Sequence, residues 1–180
     1  MISEVKICNN AYILLGEAGI ESFEDGSVQA EIAKALYESL YEAVLSENGW
    51  HFATKHIKMS NLVTSDNPNY NYQYLLPADT LYVIDGFGEY EIFNGYLYSN
   101  RQDQEIDYVF KPEVNTLPPY FSIALQYRLA AAFAIPITSD LSKAQLMEGF
   151  ADKYMAKARF NDASSRTMKV MTESPYTKGR

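Results

Sequence analysis

Cysteine is almost missing from this chain: Cys8 is the only one in 180 residues. An intramolecular disulfide is therefore impossible, zinc sites built from cysteine pairs are excluded, and synthesis in a reducing cytosol is the natural reading. Cys8 falls on the apolar side of a predicted helix, the place of an inert, buried thiol. Histidine is nearly as scarce. On a strand, His51 and His56 point to opposite faces and cannot share a metal ion. There is no HExxH pair, no phosphate-binding P-loop and no G-x-S-x-G elbow. Gly86-Phe87-Gly88 lacks the third glycine and following helix of a dinucleotide site. No run of about 18 apolar residues occurs, so no membrane span is expected. Met1-Ile2-Ser3-Glu4 lacks the basic and apolar regions of a signal peptide.

Positive charge is also in deficit. Fifteen Lys and Arg face 23 Asp and Glu, a net charge of −8 with a pI near 4.8. Nonspecific wrapping of nucleic acid needs the opposite balance. Beyond Ala163, however, Arg166, Lys169, Lys178 and Arg180 stand against Glu173 alone, leaving an acidic body with a basic end. Such an end suits an acidic or polar partner surface.

What is present is a core-forming composition, 47% hydrophobic and 14% aromatic, arranged with two changes of period. Ser3 caps a helix over 4–15 with Cys8, Ala11, Tyr12 and Leu15 on one face, and Gly16 stops it. Ile20 and Phe23 pack inward from the connector. A second helix over 27–47 carries Ala33, Leu36, Tyr37, Leu40 and Val44, and Asn48-Gly49 ends it. Gly49-Trp50-His51-Phe52 holds the only tryptophan and marks the first change. Strands follow: 52–63 as one, then 72–76 stopped by Pro77, 81–84, a hairpin over 90–98, and 106–110. Asn94-Gly95 suits a type I′ turn, which needs positive φ at both central residues. Helical spacing returns at Pro118-Pro119. A third helix, rich in alanine, runs 120–135 and is expected to end at Pro136. Ser139 is expected to cap a fourth over 140–160, with Ala144, Met147, Ala151, Tyr154, Met155 and Ala158 inward. Residues 164–180 lack periodicity and read as an extended arm.

The fold class that follows is α+β. Residues 1–48 and 118–163 form an antiparallel helical bundle, 49–117 an inserted small antiparallel β sub-domain, and 164–180 a C-terminal arm. Gly49, Trp50, Phe52, Pro77 and Asp79 mark the structural junction, and Trp50→Ala costs ~3–5 kcal/mol if the indole is buried.

Catalytic signals are weak. Asp79, Asp85, Glu89 and Glu91 cluster in the strand region, where a carboxylate pair can cleave a glycoside; a polar strand rim gives the same pattern. Tyr70, Tyr72 and Tyr74 alternate as a sugar- or base-stacking surface does, and also as ordinary strand or interface residues do. No cofactor is expected. Tyrosine at the surface, an acidic body and no active-site motif suit an interaction protein.

Six segments in order resemble tail tubular protein A, the head-to-tail adaptor family of short-tailed bacteriophages. They are Leu14-Leu15-Gly16-Glu17 with Ser22-Phe23-Glu24-Asp25-Gly26, then Gly49-Trp50-His51-Phe52-Ala53, then Leu76-Pro77-Ala78-Asp79 with Leu81, then Tyr96-Leu97-Tyr98, and finally Leu117-Pro118-Pro119-Tyr120-Phe121. The resemblance implies a helical bundle with an inserted β domain. It further implies a virion protein at the head-tail interface, forming a ring of twelve copies with itself between the portal protein and the tail tube or nozzle protein. DNA would pass through the channel without specific binding, past an acidic lumen that repels phosphate. The arm would reach the portal, making Arg166, Lys169, Tyr176, Lys178 and Arg180 portal-binding residues. A tail-associated cell-wall hydrolase and a glycan-binding accessory module are the alternatives.

Overall fold

The computed structural model describes residues 2–60 and 62–165; the expected arm residues Arg166, Lys169, Tyr176, Lys178 and Arg180 lie outside them. Among the described residues there are four helices and two small antiparallel sheets, an α+β fold. Helix α1 spans Glu4–Leu15 and α2 Val28–Ser46. A 3-10 turn at His51–Ala53 leads into β1 (Thr54–Lys58), followed by β2 (Leu62–Thr64), β3 (Tyr72–Leu75) and β4 (Thr80–Gly86). Then come β5 (Tyr90–Phe93), β6 (Tyr96–Ser99), β7 (Glu105–Phe110), a second 3-10 turn at Val114–Thr116, α3 (Pro119–Thr138) and α4 (Leu141–Ser164).

Local chemistry explains the helix ends. Ser3 Oγ accepts from the Lys6 N–H and Ser27 Oγ from the Ala30 N–H, so each hydroxyl satisfies a donor that the first helical turn leaves unpaired. Gly16, at φ 78°, closes α1 in the left-handed region. Two expectations fail at the α3–α4 corner. Pro136 does not end α3, which runs on to Thr138. A proline removes one N–H, yet the last turn stays closed because Ser139 N donates to the Ile135 carbonyl and Thr138 Oγ1 to that of Ala134. Nor does Ser139 cap α4. It sits left-handed at φ 52° as the terminus of α3, and Asp140 caps α4 by accepting from the N–H groups of Ser142 and Lys143.

One buried cluster joins all four helices. Cys8, Ala11, Tyr12 and Leu15 of α1 are buried, as are Ala33, Tyr37 and Val44 of α2 and Ala144, Met147, Ala151, Met155 and Ala158 of α4. The alanines of α3 let its neighbours approach closely, and Tyr12 stacks on Phe133 with centroids 4.9 Å apart. Helix α3 is also the one described helix long and apolar enough to cross a membrane, which the sequence reading did not expect. Its apolarity has a simple source here: Phe121, Leu125, Leu129 and Phe133 are fully buried inside the bundle.

The β region forms two sheets with orders β1-β7-β4 and β2-β3-β6-β5. They enclose a second, smaller core of Met59, Tyr74, Leu97, Ile106 and Tyr108. The single strand expected over 52–63 is instead divided. Its start is a 3-10 turn, and after β1 the chain breaks at Met59, whose N–H donates to Gln104 O at 2.7 Å, before crossing to the other sheet as β2. The 90–98 hairpin forms as expected, with Asn94 at φ 50° and Gly95 at φ 78°. Along β7 the faces alternate. Ile106 and Tyr108 enter the small core, whereas Val109 joins the bundle core. One strand thus touches both hydrophobic cores.

Candidate functional site at the bundle seam

Trp50 is fully buried and belongs to the bundle core. Its indole N–H donates to Val44 O at 3.0 Å, capturing a carbonyl of the last α2 turn. The ring meets Phe121 edge-on at 5.0 Å, and Phe52 packs against the same Phe121 ring at 4.9 Å. Gly49 lies under β4: a Cβ there would stand 3.2 Å from Ile84 Cδ1 and 3.9 Å from the Tyr82 hydroxyl. A side chain there would be accommodated only if Ile84 gave way by a few tenths of an ångström. Gly49, Trp50 and Phe52, three of the expected junction residues, therefore come together where α2, α3 and the β region meet.

The fourth and fifth, Pro77 and Asp79, sit in the turn before β4, where Thr80 N donates to Pro77 O. Asp79 holds two groups from the facing strands: Lys55 Nζ at 2.7 Å and the Tyr108 hydroxyl at 3.1 Å. Those hydrogen bonds, Lys55 first, hold its carboxyl below the usual carboxylate range, and Asp79 in turn raises Lys55. A general acid in a glycosidase needs the reverse shift. The other carboxylates of the expected cluster are dispersed. Asp85 stands in register with Asp107 on β7, Glu91 faces Tyr98 on β6, and Glu89 precedes β5. Glu89, Glu91 and Asp85 are all exposed.

The expectation of two histidines on opposite faces of one strand fails, because His51 lies in the 3-10 turn and only His56 is on β1. His56 Nδ1 is 2.6 Å from Asp107 Oδ1, with Glu105 on its other side. Among the described residues no group of three or more His, Cys, Asp or Glu could hold a metal ion. Tyr12 and Tyr37 are buried on the helix faces where they were expected, whereas Tyr41, Tyr74, Tyr98 and Tyr108, also buried in the cores, depart from the surface reading. Hydrogen bonds make this tolerable for Tyr12, which donates to Gln29 O, and for Tyr41, which donates to Pro112 O, whereas the Tyr37 hydroxyl has no partner among the described residues.

The residue that sequence reasoning missed is Asp162. It is 2% exposed near the end of α4. One carboxylate oxygen accepts from the His51 backbone N–H at 2.9 Å and the other from the Tyr120 hydroxyl at 3.0 Å. Burial, then this hydrogen bond, pushes the Tyr120 phenol up to about 12. A signal was available: Asp162 continues the inward stripe of Ala151, Met155 and Ala158 at helical spacing, so a charged residue stands where an apolar one is due. Arg128 was missed likewise. It leaves α3 to reach Glu148 at 2.6 Å and Glu47 at 3.4 Å, and Glu47 also takes Arg159 at 2.9 Å. The ends of α2 and α4 are thereby tied to α3.

Large apolar side chains are exposed on several elements, among them Ile13 of α1, Val28 of α2, Leu75 of β3 and Ile135 of α3. On the outer side of α4, Leu146 and Phe160 are 55% and 73% exposed; at the β5–β6 hairpin, Ile92 and Phe93 are 42% and 63% exposed. No protein-family model matches this chain, and no curated protein matches it.

Proposed function

We propose that this chain is a structural adaptor that assembles head-to-tail into a ring between a phage portal and the tail tube or nozzle below it. The observation that carries the reading is that exposed apolar side chains stand on unlike elements of one protomer. Closed rings are built from heterologous contacts, in which one patch meets a different patch on the next copy. Leu146 and Phe160 on α4 and Ile92 and Phe93 at the β5–β6 hairpin would supply two unlike contacts of this kind, among the several elements that expose apolar side chains. The ordered resemblance to tail tubular protein A and the bundle with its inserted β region support the same reading. So does the fact that Asp79, the expected carboxylate with the strongest partners, is tied up as a structural anion. In this reading the ring surrounds DNA without binding it specifically, and residues 166–180 supply the portal contact through their positive charge.

The deciding experiment mixes the purified chain with purified portal rings and images the product by negative-stain microscopy. Rings capped by a second ring are expected. Phe93→Asp and Phe160→Asp should each abolish the second ring while leaving the circular dichroism spectrum unchanged. Portal rings that stay bare at high concentrations of the unmodified chain would reject the adaptor reading.

A further inference from the structure

The sheet β2-β3-β6-β5 has one face turned away from the small core. Strand alternation puts Tyr74 and Leu97 inward, and so turns Leu75 and Tyr96 outward. Register carries that outward row on to Phe93 of β5, which stands opposite Tyr96. Leu75 and Phe93 are 49% and 63% exposed, and Tyr96 is half-buried. Two positions before Phe93, on the same face, comes Glu91, and Glu89 precedes the strand. Both are exposed, and neither makes an ion pair among the described residues.

The outer side of α4 has the complementary make-up. Leu146, Lys153, Lys157 and Phe160 follow one another at intervals of seven, four and three residues, so all four share one face. That face lies opposite the buried stripe of Ala151, Met155 and Ala158, and all four side chains are exposed. Lys153 has no charged partner among the described residues, and Lys157 lies only over the Tyr154 ring, 5.2 Å from its centre. The flanking carboxylates Glu148 and Asp152 are taken by Arg128.

Each face is thus an apolar strip beside unpaired charge, acidic on the sheet and basic on the helix. A helix laid on a sheet covers the apolar surface of both. The spacings also agree. Phe93 and Glu91 are two strand residues apart, about 7 Å. On α4, Lys157 and Lys153 stand ~4.5 and ~10 Å along the axis from Phe160. With Phe93 set on Phe160, Glu91 falls between the two lysines. We propose that the outer sheet face of one copy packs on the outer stripe of α4 in the next, with Glu91 between Lys153 and Lys157. The inference rests on the ring-forming reading above and names its subunit contact. The contact is heterologous, so it propagates from copy to copy.

The test uses the full chain without portal. A zero-length carbodiimide crosslinker is applied to an equal mixture of isotope-labelled and unlabelled chain at millimolar concentration. Mass spectrometry should find amides joining Glu91 of one copy to Lys153 or Lys157 of another. Sedimentation should show self-association that weakens with salt. Glu91→Lys should lower the association constant about tenfold or more, and so should Lys153→Glu combined with Lys157→Glu. Mixing those two variants should restore it, because each then offers the other the opposite charge on both faces. The positions are exposed, so melting temperatures should stay close to that of the parent. Absence of mixed-isotope Glu91 amides, self-association that ignores the reversals, or a mixture no stronger than its components would each overturn the contact. The adaptor reading is judged separately. Portal rings capped by a second ring would keep it even if this contact failed, and bare portal rings would reject it even if the contact held.

Discussion

Asp162, near the end of α4, accepts the backbone N–H of His51 at 2.9 Å across 111 residues of chain. His51 opens a 3-10 turn, whose first N–H groups have no partner within the turn. A buried carboxylate from the last helix thus caps the step at which the chain leaves the bundle for the β region. The same carboxylate fixes Tyr120 at the start of α3.

Removing that carboxylate should loosen the seam. Asp162→Ala leaves the His51 N–H and the Tyr120 hydroxyl without their acceptor, a loss of ~2–3 kcal/mol. Asp162→Asn keeps one carbonyl acceptor and should cost less. Urea unfolding followed by tryptophan fluorescence measures both, because Trp50, next to His51, is the only tryptophan. Equal stability of Ala and parent would show that the contact contributes nothing.

Gly49 and Ile84 should behave as a coupled pair. In Gly49→Ala the new Cβ meets Ile84 Cδ1 at 3.2 Å, closer than relaxed packing allows. Ile84→Val removes that methyl group, and because Ile84 is 40% exposed the change alone should cost less than the ~0.5–1.5 kcal/mol of a buried Ile→Val. The double variant should be more stable than the sum of the single effects predicts. A double-mutant cycle with no coupling would place the obstruction elsewhere.

Stability should fall at both ends of the pH scale, for separate reasons. The folded Asp79 carboxyl lies below its unfolded value, so its contribution is present above pH ~4 and disappears as pH drops through the folded value. The Lys55–Asp79 pair is 42% exposed on both sides, which limits the effect to less than about 1 kcal/mol. Tyr120 is raised to about 12. Its contribution is whole below pH ~10 and is lost as pH climbs from there through 12. Burial raises Tyr12, Tyr37 and Tyr41 in the same direction. The share of phenolate absorbance that belongs to these four rings should therefore appear late and together with unfolding, and Asp79→Asn should flatten only the acid limb. Complete phenolate titration before the unfolding transition would contradict their burial.

The helices were legible because a helix writes its buried face into local spacing. All four inward residues of α1 and nearly all of those of α4 follow that rule. The Asn94-Gly95 turn was legible for the same reason, being a two-residue chemical requirement. What could not be read was set by partners far along the chain. Thr54–Lys58 and Leu62–Thr64 look like one strand locally, and only pairing with β7 and β3 assigns them to different sheets. The burial of Tyr41 went unread because polarity alone says nothing about a carbonyl 71 residues away waiting for its hydroxyl. At the seam, Trp50 and Gly49 announced themselves by rarity and position, whereas Lys55 and Tyr108 became partners of Asp79 only through strand register.

Cys8 has a practical consequence. Burial, assisted by Glu4, pushes its thiol up to about 12, and its side chain is fully enclosed. The native protein is therefore silent toward thiol reagents while folded. A cysteine introduced at an exposed position such as Phe93 or Leu146 becomes the single reactive handle on the molecule. A fluorophore, spin label or crosslinker can then be placed on one chosen surface at a time, without first editing the native sequence.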